Sequence, residues 1–189
     1  MNVIKNGVIT AGFNDPRPLS NPGQHIHGAL DVAGGDGLAR SPVKGIAQGF
    51  VIIRGDGWDK NEKPTILGFP WHDYFEDVYG GIIVIEETAH ARLHILAHFW
   101  ADIILDGSAK ASVDIHYKDH FETAKKTRFP ARILRSIRVP VEAGDILGPV
   151  GNAGFVSGAT GLHVHWEIHH SLKRLDDYPL RINPEEYIR

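Results

Sequence analysis

The chain has 189 residues, 42% hydrophobic and 23% charged, an ordinary composition for a globular protein, and one compact domain over residues 1–189 is expected. A formal net charge of -3 supplies no long-range positive field, so neither nucleic acid nor an anionic membrane is expected as a partner. The absence of cysteine removes disulfides, thiolate ligands and cysteine nucleophiles together, while twelve histidines leave imidazole and carboxylate as the available metal ligands.

In chain order, residues 1–10 hold one lysine and no apolar run long enough for the core of a signal peptide. No later stretch approaches the ~20 apolar residues of a membrane-spanning helix, so no membrane insertion is expected. Short β-branched runs punctuated by glycine predict strands over Gly7–Thr10, Val43–Ala47, Phe50–Arg54, Gly81–Glu86, Ala91–Ala97, Ile146–Val150 and Leu162–His169. The expected fold class is therefore mostly β and antiparallel, with few short helices. The helical candidates are Ser112–Lys126 and Pro184–Tyr187, where Asn183 can cap and Pro184 suits a first helical position. Two irregular segments, Gly55–Gly80 and Ala101–Arg138, are longer than usual connections, and such loops are often functional. The first gathers Trp58, Trp71, Tyr74, Phe75 and Tyr79, either as a small hydrophobic core under the loop or as a grip for peptide or glycan. The second mixes Lys118, Lys125, Lys126 and Arg128 with Asp114, Asp119 and Glu122, which reads as a solvated face.

The chemistry concentrates in two places: His27-Gly28-Ala29-Leu30-Asp31, and Gly161-Leu162-His163-Val164-His165-Trp166-Glu167. In a strand the side chains of His163, His165 and Glu167 share one face, because direction repeats every two residues, so two imidazoles can converge on one point. Two neutral histidines and one carboxylate bind zinc with a fourth position open to water, the arrangement of a hydrolytic site. Taken alone, His-x-His is a weak signal in a histidine-rich chain. The glycines between 151 and 161 fit tight turns beside a groove; neither a Walker sequence nor a Gly-x-Gly-x-x-Gly spacing opening a helix is present.

The ordered set of these motifs resembles the lysostaphin/LytM-type peptidoglycan endopeptidases. His27 to Asp31 matches the family's HxxxD element and His163 to His165 its HxH element. Between and beyond them, residues 41–49 (SPVKGIAQG), 141–148 (VEAGDILG), the Gly-rich 151–161 and Arg181-Ile182-Asn183-Pro184 are similar to the family's intervening turns and C-terminal ending, so the resemblance covers nearly the whole chain. It implies an antiparallel β-sheet or barrel-like sandwich of the duplicated hybrid motif type, with long inserted loops. It implies one Zn2+ per chain, held by His27, Asp31 and His165. It makes His163 a catalytic histidine, with His98 in Leu96-Ala97-His98-Phe99 as the second; His94 is the rival, since regular strand alternation puts it on the same face as His98. Glu167 is either a partner that orients a neighbouring group or a strand residue at the rim.

The activity so implied is zinc-dependent hydrolysis of peptide cross-links or stem peptides in bacterial peptidoglycan, on the extracellular or periplasmic side. With no signal peptide visible, the expected routes are a phage lysin released at lysis, a virion component delivered from outside, or a trimmed bacterial chain. Gly55–Gly80 and Ala101–Arg138 look like insertions relative to the family and bracket the strand carrying His98, which makes them candidate groove walls. A catalytically idle domain of this fold, serving a structural or regulatory role, is the alternative. A phosphocarrier or lipoyl-like module is a third reading, disfavoured by the lack of an Asp-Lys or Met-Lys attachment turn in a suitable hairpin and by the full ligand set.

Overall fold

The computed structural model describes residues 2–16, 26–53, 65–66, 69–70, 80–100, 132–135, 138–153, 161–172 and 180–188. These contain twelve strands: β1 (Gly7–Ala11), β2 (Leu30–Gly34), β3 (Leu38–Arg40), β4 (Gly45–Ile53), β5 (Thr65–Ile66), β6 (Phe69–Pro70), β7 (Gly81–Glu87), β8 (Arg92–Phe99), β9 (Arg132–Arg135), β10 (Val139–Val141), β11 (Ile146–Pro149) and β12 (His163–His169). One 3-10 turn follows at Pro184–Tyr187, where the Asn183 carboxamide oxygen accepts from the Glu185 amide at 3.0 Å, the cap that its sequence predicts. The protein is mostly β and antiparallel. The runs predicted separately at 43–47 and 50–54 are one strand, β4, and β2, β3, β5, β6, β9 and β10 arise where no strand was expected. The helix predicted over 112–126 and the aromatic cluster of residues 58–79 lie outside the described residues.

An eight-stranded sheet organises the chain in the order β1-β2-β12-β8-β7-β4-β10, with β9 also pairing β4. Within it β12 runs antiparallel to β2 on one side and to β8 on the other. Alternation gives β12 two faces. Val164, Trp166 and Ile168 pack with Leu30, Val32, Leu96, Phe99 and Ile182 in the hydrophobic core. His165, Glu167 and His169 point the other way, yet they are also buried. A buried polar face of this kind has to satisfy its hydrogen bonds internally.

The β7–β8 pair carries one irregularity. Ile83 pairs with Leu96, but Gly81 pairs with Phe99, so β8 contains one residue more than β7 over this stretch. The extra residue is taken up at His98, whose φ of 75° lies in the left-handed region that an imidazole side chain adopts only at a cost of about 1–3 kcal/mol. Bulges re-aim side chains, and this one turns His98 out of its regular direction.

Candidate metal centre

The register of β2 against β12 places His165 directly opposite Asp31, which brings the two side chains together across the ladder. His27 precedes β2 and is held by the N-terminal arm: its amide donates to the Asp15 carbonyl at 2.8 Å, and its own carbonyl accepts from the Asn14 amide at 2.8 Å. Three atoms converge as a result. His27 Nε2 lies 3.3 Å from His165 Nδ1 and 3.2 Å from Asp31 Oδ1, and His165 Nδ1 lies 2.8 Å from Asp31 Oδ1. All three residues are buried, and this is the cluster among the described residues whose ligand atoms could hold a metal.

The outer ring nitrogens fix which atoms face inward. His27 Nδ1 lies 3.0 Å from the Gly12 carbonyl oxygen, which can only accept, so Nδ1 carries the proton and Nε2 presents a lone pair. His165 Nε2 lies 3.0 Å from the Glu167 carboxylate, so by the same logic its Nδ1 presents a lone pair. Two imidazole lone pairs and a carboxylate oxygen at such separations repel one another unless a proton or a metal ion sits between them. Tetrahedral ligands at ~2.0–2.1 Å from zinc are about 3.3 Å apart, close to two of the three edges observed. The donor set therefore fits a zinc-sized divalent cation with nitrogen and oxygen ligands.

Electrostatics agree with the geometry. Burial works against the Asp31 charge, but the adjoining imidazoles of His165 and His27, when protonated in the absence of a metal, hold its carboxyl well below the usual carboxylate range. Burial likewise opposes protonation of His165, and its bonds to Asp31 and Glu167 outweigh that penalty, lifting it to about 9. The field that favours a proton on His165 favours any cation at the same point.

Glu167 is not at a rim. It is 1% exposed, and its carboxylate meets His165 Nε2 at 3.0 Å, His169 Nε2 at 3.1 Å and Arg181 Nη1 at 2.6 Å. Burial penalises its charge, but Arg181 and the two imidazoles more than compensate and keep it ionised. Arg181 also reaches back to the Gly28 carbonyl at 3.3 Å, which links the C-terminal segment to the His27 loop.

Beside this cluster lie His98 and His163, with ring centroids 4.5 Å apart; the His98 ring is 5.7 Å from that of His165. Each donates its Nδ1 proton to a carbonyl, His98 to Ala153 at 2.9 Å and His163 to Gly161 at 2.9 Å, which leaves both Nε2 atoms as lone pairs. His163 Nε2 is 3.9 Å from Asp31 Oδ1. Burial, then the neighbouring imidazoles, push His98 down to about 3, and burial lowers His163 as well, so both rings are neutral bases at ordinary pH.

His94 does not join them. Its Nδ1 accepts from Trp166 Nε1 at 3.2 Å and its Nε2 donates to Glu87 at 3.1 Å, in a network that extends to Tyr187, Arg92 and the exposed His90. Regular alternation would give His94 and His98 one face; the bulge separates them.

Compared with solved structures, the chain aligns with the catalytic domain of the antimicrobial peptidase lysostaphin from Staphylococcus simulans over 97% of its length and 92% of that domain, at 17% identity and a TM-score of 0.50. It has the lysostaphin catalytic fold. Against full-length lysostaphin the match covers 96% of this chain and 49% of that one, at 16% identity and a TM-score of 0.46, so the chain spans about half of that protein. No protein-family model and no curated protein matches the sequence. On this lysostaphin-type sheet, His27, Asp31, His165, His163 and His98 all gather at one place. Sequence reasoning missed Arg181, His169 and the Gly12 carbonyl as supports. Only Arg181 had a signal, in the Arg-Ile-Asn-Pro ending.

Proposed function

We propose that this protein is a zinc-dependent endopeptidase of the lysostaphin type that hydrolyses cross-link or stem peptides of bacterial peptidoglycan, and that it acts on the cell wall. The observation carrying this reading is the convergence of three buried ligand atoms, two imidazole nitrogens and a carboxylate oxygen, beside two neutral imidazoles whose Nε2 atoms carry lone pairs. His27, Asp31 and His165 would hold one zinc per chain. Bound there, zinc supplies Lewis acidity, lowering the pKa of a water towards ~7 and polarising the scissile carbonyl. His98 and His163 are the catalytic groups: their Nε2 lone pairs accept a proton from the attacking water and return it to the leaving amine. Gly161 and Ala153 keep both rings in the tautomer that this requires. Among the described residues no helix is long and apolar enough to cross a membrane.

Three measurements test the reading together: zinc content, cleavage of defined muropeptides followed by mass, and chelation. The expected result is about one zinc per chain, released fragments and loss of cleavage on metal removal, restored by added zinc. Alanine at His27, Asp31 or His165 should lose the metal, whereas His98→Ala and His163→Ala should keep it and lose on the order of 10²-fold or more in rate. A zinc-loaded protein that cleaves no muropeptide would leave the idle-domain reading in its place. Stoichiometric zinc on Asp31→Ala would overturn the ligand set.

A further inference from the structure

Trp100 stands two residues beyond His98 and plays no part in the sites described above. Phe99 is fully buried in the core, and the bulge has turned His98 to the opposite side, so continued alternation returns Trp100 to the face of the catalytic imidazoles. A second contact fixes it there. A Cβ on Gly151 would lie 2.3 Å from the His98 carbonyl oxygen, 3.0 Å from the Trp100 amide nitrogen and 3.1 Å from Trp100 Cδ1. Gly151 in turn forms a backbone bridge with His163, whose amide donates to the Gly151 carbonyl at 3.2 Å. The indole therefore rests against the glycine that joins the two catalytic histidines, and it remains 38% exposed. Large aromatic side chains left open to water beside reacting groups have apolar surface available for a ligand.

We infer that Trp100 is a specificity-determining residue, a platform that packs against an alkyl side chain of the cross-link peptide next to the scissile bond. This rests on the peptidase reading above. Two strand residues span about 6.6 Å, the reach of one to two residues of an extended substrate, so the indole meets the peptide near the cleaved bond and not a distant sugar. Glycine offers the platform no side chain to cover; alanine offers a methyl. Peptides bearing alanine should therefore be favoured over oligoglycine.

The probes are two glycan-free peptides, an alanine-containing stem-peptide dimer and pentaglycine, measured with wild type, Trp100→Ala and Trp100→Phe in the zinc-loaded protein. Wild type should favour the stem dimer by about 4-fold in kcat/KM for each methyl covered. Trp100→Ala should raise KM for the stem dimer about tenfold with kcat within twofold and zinc content unchanged, and should lose the discrimination; Trp100→Phe should restore much of it. Unchanged KM in Trp100→Ala, retained discrimination, or an effect that appears only on glycan-bearing substrate would overturn the inference. Calorimetric binding of the same stem dimer separates it from the parent reading. If wild type cleaves neither peptide the peptidase reading fails, and weaker binding by Trp100→Ala than by wild type still decides whether Trp100 is a platform.

Discussion

Glu167 makes a sharp test of how the centre is held, because it touches no candidate metal position and yet bonds to the back of His165. Replacing it with glutamine conserves volume and removes the charge. The amide oxygen can still accept from His165 or Arg181, but the Arg181 guanidinium loses its ion-pair partner and His165 loses the carboxylate that raises its basicity. Partners of this kind behind a ligating histidine typically contribute 10–100-fold to metal affinity, or about 1.4–2.7 kcal/mol. Glu167→Gln should therefore weaken zinc binding by 10–100-fold, about that much free energy. Glu167→Ala also removes the carboxylate from the partly buried Arg181 guanidinium and should cost the fold about 3 kcal/mol. Competition with a chromophoric chelator at fixed pH gives the affinity, and denaturant melts of the metal-free protein give the stability. A Glu167→Gln protein that binds zinc within twofold of wild type would refute the argument, since His165 would then need no carboxylate behind it.

Two further outcomes follow from features away from the ligands. The Glu87 carboxyl is opposed by burial but held down to about 2 by His94 and His90, so its stabilisation is complete above about pH 4.5 and is lost as pH falls towards 2. Denaturant melts of wild type and Glu87→Gln should differ by about 1–2 kcal/mol at pH 6, after allowance for water around the exposed His90, and converge in acid; a constant difference would contradict the assignment. Gly151→Ala should destabilise by roughly 1–3 kcal/mol and lower activity by displacing His98, because the added methyl meets the His98 carbonyl oxygen at 2.3 Å; wild-type activity with wild-type stability would show that this junction can yield.

The sequence carried those parts of the site whose spacing equals the period of the element beneath them. His163, His165 and Glu167 lie two apart on β12, so their shared face could be read directly, and the β-branched runs marked most of the strands around them. Strand β2 was hidden because Leu30–Gly34 is short and contains Asp31, a residue that strand propensity disfavours and that the tertiary register requires opposite His165. The Gly12 carbonyl was illegible for a different reason: it reaches the site through a loop, and no periodicity relates a loop residue to a distant partner; Arg181 was marked only by the Arg-Ile-Asn-Pro ending.

The choice between His94 and His98 shows most clearly what periodicity cannot supply. Strict alternation assigns both to one face and gives no ground for preferring either. The structure separates the two rings through a single extra residue, since the left-handed backbone at His98 turns its ring towards His163 while His94 stays among Trp166, Glu87 and Tyr187. That conformation strains a histidine, and the surroundings compensate with the Ala153 hydrogen bond and the close approach of Gly151. A bulge is a departure from the pattern that sequence reading relies on, so a side chain placed by one is visible only when its long-range partners are in view.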